Sequence, residues 1–324
     1  MLFLLWLACT GTDQDTAEEV CEEVPEGDVV LPLDEAPHGS DVEWWYWTGH
    51  LQDDQDRWYG FEEVFFLVDY AGYEMMMGHH AITNVDAQDF VYDVQYGSGE
   101  VESVDGGYGF EMGALTARGA DGQDVLHGEA GGYVLDLELD SLKSPVLQHG
   151  TGYTEYEFGG NTYYYSRERL AAQGTLQVDG ETLAVTGTGW FDHQWGELTN
   201  AIDQGWDWFA LQLDDEREIM IFEIRVDGSS IMVGGSLSSA DCETTELDPE
   251  QVVVTSMGEW TSEVSGCTYP LGWEMEVDGM SLTVTPVMED QELYSSYQTY
   301  WEGAATVSGD ATGRAYIELT GYCE

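Results

Sequence analysis

A tryptophan-rich segment occurs twice in this chain. Asp41–Leu51 reads Asp-Val-Glu-Trp-Trp-Tyr-Trp-Thr-Gly-His-Leu, and a displacement of 206 − 45 = 161 positions brings Trp45 onto Trp206, Trp47 onto Trp208, Asp53-Asp54 onto Asp214-Asp215 and Phe61-Glu62 onto Phe222-Glu223 without a gap. Self-similarity at a fixed spacing constrains a fold more than any local pattern. The closing segments echo each other too: Gly174–Gly180 resembles Gly303–Gly309, and Gly187–Asp192 resembles Gly313–Glu318. The 324 residues are therefore expected to hold two copies of one unit, each near the usual domain size of ~100–150 residues. The expected division is a signal-like segment at 1–9, an acidic tether at 10–29, a first domain at 30–200 and a second at 201–324, with the junction near Leu198–Gln204.

Period and punctuation say what the units are made of. Tyr133–Asp140 alternates apolar and acidic residues strictly, which puts leucines on one face of a strand and carboxylates on the other. Asp179-Gly180, Asp227-Gly228, Asp278-Gly279 and Gly159-Gly160-Asn161 separate such runs and supply the positive φ angles of tight hairpins. With 39 Gly, 7 Pro and no helical stripe, the fold class is antiparallel all-β, as a barrel or a sandwich.

Eight Lys+Arg stand against 64 Asp+Glu, a net charge of −56. Phosphate binding needs clustered cations, so nucleic acid is excluded as a partner, and so are anionic membrane surfaces. The acid excess is expected to be a solvating surface. Asp53-Asp54-Gln55-Asp56 and Asp121-Gly122-Gln123-Asp124 do not space their oxygens as an EF-hand does, and His79-His80 lacks a further ligand at useful spacing and is expected to be surface or groove lining. No metal and no cofactor are expected.

Met1-Leu2-Phe3-Leu4-Leu5-Trp6-Leu7-Ala8-Cys9 resembles a bacterial lipoprotein signal, short and without a basic start. Cys9 would then be lipidated, the acidic stretch after it would be a tether, and an acyl anchor would be the sole membrane link, because no segment reaches the ~20 apolar residues of a spanning helix. The expected location is the bacterial cell envelope, as an outer-membrane lipoprotein or a secreted protein. Export suits disulfides. Cys21, Cys242, Cys267 and Cys323 allow three pairings, of which Cys242–Cys267 with Cys21–Cys323 is expected, the first closing a short stretch and the second joining the ends.

Glu43–Leu51, Tyr164-Tyr165-Ser166-Arg167, Gly187–Gly196, Gly205–Phe209, Tyr300–Gly303 and Glu318–Tyr322 together resemble the lipocalin-like family of carotenoid 1,2-hydratases (hydroxyneurosporene synthases) and AttH proteins, in family order from Pro37 to Tyr322. The resemblance implies two tandem lipocalin-like antiparallel β-barrel domains packed together, with a hydrophobic cavity for an apolar, isoprenoid or lipid-like small molecule.

Hydrating a C=C bond needs a proton donor, walls that tolerate a carbocation, and an admitted water. A carboxylic acid buried among aromatics meets the first need, since desolvation keeps it protonated, and aromatic faces meet the second. Asp192, His193 and Glu43 are the candidate catalytic residues. Trp44, Tyr46, Trp195, Trp206 and Trp208 are candidate substrate-binding residues, set against the plainer reading of the tryptophans as barrel core. Strict alternation puts Asp192 with Trp190 and Gln194 on one face and His193 with Phe191 and Trp195 on the other; a bulge at Asp192-His193 would let both enter one cavity. Asp192, His193, Trp195, Glu43 and Tyr46 are expected to line such a cavity near the junction, with Asp192 or Glu43 buried, free of arginine and raised in pKa.

The chain lacks a Gly-x-Ser-x-Gly elbow, His-Glu-x-x-His, a strand-linked Gly-x-Gly-x-x-Gly and a Gly-x-x-x-x-Gly-Lys loop, so hydrolase, zinc protease, dinucleotide and nucleotide chemistries lose support. Two functions remain: a hydratase-like lyase, or a carrier that stores a hydrophobic ligand unchanged.

Overall fold

Alternating apolar and polar positions make nearly every element a strand. The computed structural model describes residues 21, 24–70, 72–104, 106–198, 205–226, 228–296 and 298–323; the signal-like segment, Cys9, most of the tether and the expected junction beyond Leu198 lie outside them. Among the described residues, thirteen strands form one antiparallel sheet and ten a second, with a two-stranded ribbon at Glu259–Thr261 and Thr268–Pro270. No helix among them is long and apolar enough to cross a membrane. The edge strands of each sheet are consecutive in the chain, Asp89–Gly97 with Glu100–Val104 and Thr244–Leu247 with Val252–Ser256. Each sheet therefore curls back toward itself, and the pair are lipocalin-like, one a half-barrel and the other nearly closed. Asp179-Gly180 and Asp278-Gly279 carry the paired positive φ angles, 51° and 82° and then 46° and 81°, that turn one strand into the next.

The duplication is visible in the topology. In the first sheet the opening strand, Val42–Asp53, lies between its successor Trp58–Tyr70 and the closing strand Glu181–Glu197. In the second, Gly205–Leu213 lies likewise between Glu218–Val226 and Gly313–Leu319. Hydrogen bonding corrects the register, however. The first hairpin closes with Asp53 N bonded to Arg57 O and Asp56 in the left-handed region; the second repeats this at Leu213, Arg217 and Glu216, a displacement of 216 − 56 = 160. Trp206 is thus the counterpart of Tyr46, not of Trp45. One residue of slip exchanges the faces of a strand, and the faces bear this out: Trp45 is buried in the first sheet's own core, whereas Trp206 packs between the sheets.

Leu135, Leu137 and Leu139 join Trp45, Trp47 and Phe65 inside the first curl, and Phe209, Leu211, Trp273 and Trp301 fill the second. A third apolar cluster, with Tyr46, Val64, Tyr164 and Trp190 from one sheet and Trp208, Ala210 and Met220 from the other, binds the sheets together. Three of the eight cations stand at the seam. Lys143 Nζ lies 2.7 Å from Glu218 Oε2, Arg169 pairs with the same carboxylate, and the Arg314 guanidinium stacks on Trp58 at 4.4 Å.

The disulfides are Cys21–Cys242 and Cys267–Cys323, with Cα separations of 6.3 and 4.8 Å, so both expected pairings are corrected. Sequence proximity misled because the turn holding Cys242 faces the amino-terminal segment, while Cys267 lies against the carboxyl terminus, where Tyr269 also contacts Cys323.

Candidate active site

Even-numbered residues of the opening strand, Trp44 and Tyr46, turn away from the first core and face the second sheet, which answers with Trp206 and Trp208. Between them lies a cleft of about 320 Å³. Val64, Phe66, Phe222 and Ile224 make most of it apolar, and Tyr164, Asp192, Tyr300, Glu302 and Glu318 supply its polar points. It is a cleft between two outer sheet faces rather than a barrel lumen.

Asp192 is 3% exposed and opposes Tyr46 across the strand pair. It accepts from Tyr164 Oη and Ser166 Oγ, each at 2.6 Å, and from Trp190 Nε1 at 2.8 Å. Burial raises its pKa to about 6, against the pull of those donors, and no arginine pairs with it. Tyr164 in turn accepts from Trp208 Nε1 at 3.2 Å, so the second sheet helps set the carboxylate.

Glu302 is differently placed. It is fully buried, its Oε1 accepts from Tyr46 Oη at 2.5 Å, and its Oε2 has no partner among the described residues. Burial, then the neighbouring Glu318 and Glu62 carboxyls, push its pKa well above the usual carboxylate value and so favour its neutral form. Glu318 opposes it on the adjacent strand and is raised to about 7 by burial. Glu62, fully buried from the first sheet, has no hydrogen-bond partner for either oxygen among the described residues and is raised by burial and then by Glu318. At one end of the cleft Tyr300 Oη lies 2.7 Å from His79 Nδ1. His79 and His80 are both buried, which corrects the surface half of the expectation, surface or groove lining, while His79 packs on the cleft residues Tyr300 and Phe66; burial lowers each to about 4.

The expected five-residue cavity divides in two. Asp192 and Tyr46 line the cleft with Trp44, Trp206 and Trp208, while Glu43, His193 and Trp195 point into the first sheet's interior. The reconciling bulge is absent: pairing of the closing strand with the opening strand runs unbroken from Val42↔Gly196 to Asp53↔Val185. Glu43 Oε1 meets His193 Nε2 at 2.9 Å and His38 Nδ1 at 2.8 Å, and its Oε2 accepts from His38 N at 2.9 Å. Burial opposes ionisation of Glu43, but the bonds from His193 and His38 outweigh it and lower its pKa. His193 is lowered to about 4 by burial and stacks on Trp45 at 4.3 Å. His38, Glu43 and His193 could together meet a metal ion, yet the carboxylate is already satisfied and His193 Nδ1 is buried without a partner, where a metal-bound imidazole would normally be held by a second hydrogen bond. The triad is best read as a clasp that ties the segment before the opening strand to the closing strand.

Glu302, Glu318, Glu62, Tyr164 and Tyr300 were not among the expected site residues, although all but Glu62 lie in the motifs that carry the resemblance. The signal available was Glu302 beside Trp301, an acid embedded in an aromatic strand like Glu43.

Fold and cleft define a two-unit lipocalin-like protein with a ligand-sized, acid-lined cavity at its seam. The chain belongs to the AttH-like family, which it matches over residues 22–322. A crystal structure of a protein from Nitrosomonas europaea assigned to AttH is 29% identical, with a TM-score of 0.83 over 92% of this chain and 98% of that one. Kievitone hydratase from Nectria haematococca is 20% identical, with a TM-score of 0.75 over 92% and 96%, and CghA, solved with Sch210972, is 10% identical, with a TM-score of 0.55 over 94% and 97%; these two likenesses are of fold alone. No curated protein matches the sequence.

Proposed function

We propose that the protein adds water across a carbon–carbon double bond of an apolar small molecule held in the inter-sheet cleft. One observation carries the reading: Tyr46 joins a neutral acid, Glu302, to which it donates, and a hydrogen-bonded carboxylate, Asp192, which it opposes across the strands, within aromatic walls. Glu302 gives its proton to one alkene carbon, so that a C–H bond forms as the π bond breaks. The faces of Trp44, Trp206 and Trp208 stabilise the positive charge left on the other carbon. Water attacks that carbon, a C–O bond forms, and the surplus proton passes to Asp192. The ligand gains one H and one OH, and proton exchange with solvent restores Glu302 and Asp192 after release.

A hydratase shares the fold, and a cleft of about 320 Å³, at the small end of ligand pockets of ~300–1,000 Å³, suits a short isoprenoid or prenylated ring better than a long polyene. Two disulfides suit an oxidising compartment, in keeping with an envelope lipoprotein anchored at Cys9 or a secreted protein. The test is incubation of the purified protein with an envelope lipid extract and a panel of prenylated phenols in ¹⁸O-labelled water, read by mass spectrometry. A product heavier by one labelled water is expected, lost in Glu302→Gln with ligand binding retained. Turnover undiminished in Glu302→Gln contradicts the mechanism, and a ligand bound but always returned unchanged by the native protein establishes the carrier reading instead.

A further inference from the structure

Glu168 is a buried carboxyl that this chemistry does not use. It stands at a bulge in the strand Asn161–Val178, where pairing with the closing strand skips from Arg167↔Phe191 to Leu170↔Gly189. A bulge re-aims the side chains around it. Arg167 turns to Glu35, in the short helical turn Leu33–Glu35 before the opening strand, whereas Glu168 and Arg169, consecutive residues, both reach the second sheet, Arg169 at Glu218 and Glu168 at the Ser236 hydroxyl, 3.1 Å away.

Glu168 is 2% exposed and its Oε2 has no partner in hydrogen-bond geometry among the described residues. The Ser238 hydroxyl, 3.1 Å from Thr244 Oγ1, can accept from that threonine and turn its own proton toward Glu168, which favours the anion. Glu168 lines a second inter-sheet cavity of about 490 Å³, beside the Cys21–Cys242 disulfide. Its lining mixes apolar Pro145, Val146 and Leu147 with three acids, Asp241 and Glu246 being added to Glu168. Lys143 is there too, but its ammonium is committed to Glu218 and to the carbonyls of Glu216 and Ser239. His149 lines both cavities, its ring edge-on to Phe222 at 5.6 Å.

We propose that the two cavities are one divided site meeting at His149, in which the aromatic cleft takes the apolar body of an amphiphile and the Glu168 chamber takes its cationic amine head. The partnerless carboxylate oxygen supplies the acceptor for an ammonium N–H, and the acidic rim rejects carboxylate and phosphate heads. The proposal rests on the reading of the aromatic cleft as the ligand site.

The test titrates octylamine, octanol and octanoate into the native protein and Glu168→Gln, following emission from Trp44, Trp206 and Trp208, in 0.5 M salt to screen the acidic surface. The native protein is expected to bind octylamine about tenfold more tightly than octanol and octanoate most weakly; Glu168→Gln removes the preference for the amine and leaves octanol affinity unchanged. Ser236→Leu, which fills the chamber, gives the same loss and serves if Glu168→Gln does not fold. An amine preference that survives both substitutions, or octanoate binding as tightly as octylamine, overturns the proposal. Octylamine binding that depends on Glu168 while octanol does not bind supports the chamber and sinks the aromatic cleft instead; binding of neither sinks both.

Discussion

The phenol of Tyr46 and the carboxyl of Glu302 meet across the seam between the sheets at 2.5 Å, from positions 256 residues apart. Each unit supplies half of the pair, so the acid exists only in the docked protein. Tyr46→Phe removes the one hydrogen bond that the Glu302 carboxyl accepts among the described residues. Turnover is expected to fall by about 10²-fold, the scale of a single preorganised donor, with ligand affinity nearly unchanged. A KM that rises while kcat stays constant would show that Tyr46 only binds.

The buried acids set a pH dependence of stability. Glu318, raised to about 7 by burial, and Glu302, also raised by burial, bind protons in the folded chain that they lose when unfolded above about pH 4.3. Their contribution is complete below the unfolded value and is lost as pH rises through the folded one. Tm should therefore be higher at pH 5 than at pH 8, and Glu318→Gln should shrink that difference. A difference between pH 5 and pH 8 that Glu318→Gln leaves unchanged would refute the assignment, since buried His79, His80 and His193, lowered to about 4, pull the absolute Tm the other way.

Catalysis should show the opposite limb. Asp192 must be ionised to take the water's proton, and its pKa is about 6, so kcat should climb between pH 5 and pH 7, and Asp192→Asn should abolish the climb along with most of the turnover. A flat profile in the native protein removes Asp192 as the base.

Glu218 is fully buried between Lys143 and Arg169. Glu218→Gln leaves two cations at the seam without their counter-charge, at a cost of about 3 kcal/mol. Chemical denaturation measures it, and a change below about 0.5 kcal/mol would mean that the seam does not depend on this staple.

Much of the fold was legible in the residues. The alternation of Tyr133–Asp140 and the Asp-Gly turns needed no tertiary information, and the two Trp-x-Trp segments do open equivalent strands. Their register was not legible, because Trp45 and Trp206 align as letters while the hydrogen-bonded hairpins differ by one residue, which decides the face. Alternation correctly separated Asp192 from His193, and the bulge invoked to reunite them lies on the neighbouring strand at Glu168 instead. Glu302, Glu318 and Glu62 could not have been grouped from sequence, since they converge only when two outer sheet faces dock. The cysteine pairing failed for the same reason: the closed sheets, not chain distance, decide which thiols are neighbours.

The central claim is that the ligand site lies between the sheets and not inside either curl. Crystals soaked with 1-bromodecane test it through the anomalous signal of the bromine. The account predicts a peak in the cleft walled by Trp44, Trp206 and Trp208, within reach of Glu302, and its loss in Trp208→Arg. A peak beside Trp45 and Trp47, or beside Trp273 and Trp301, with the cleft empty, would contradict it.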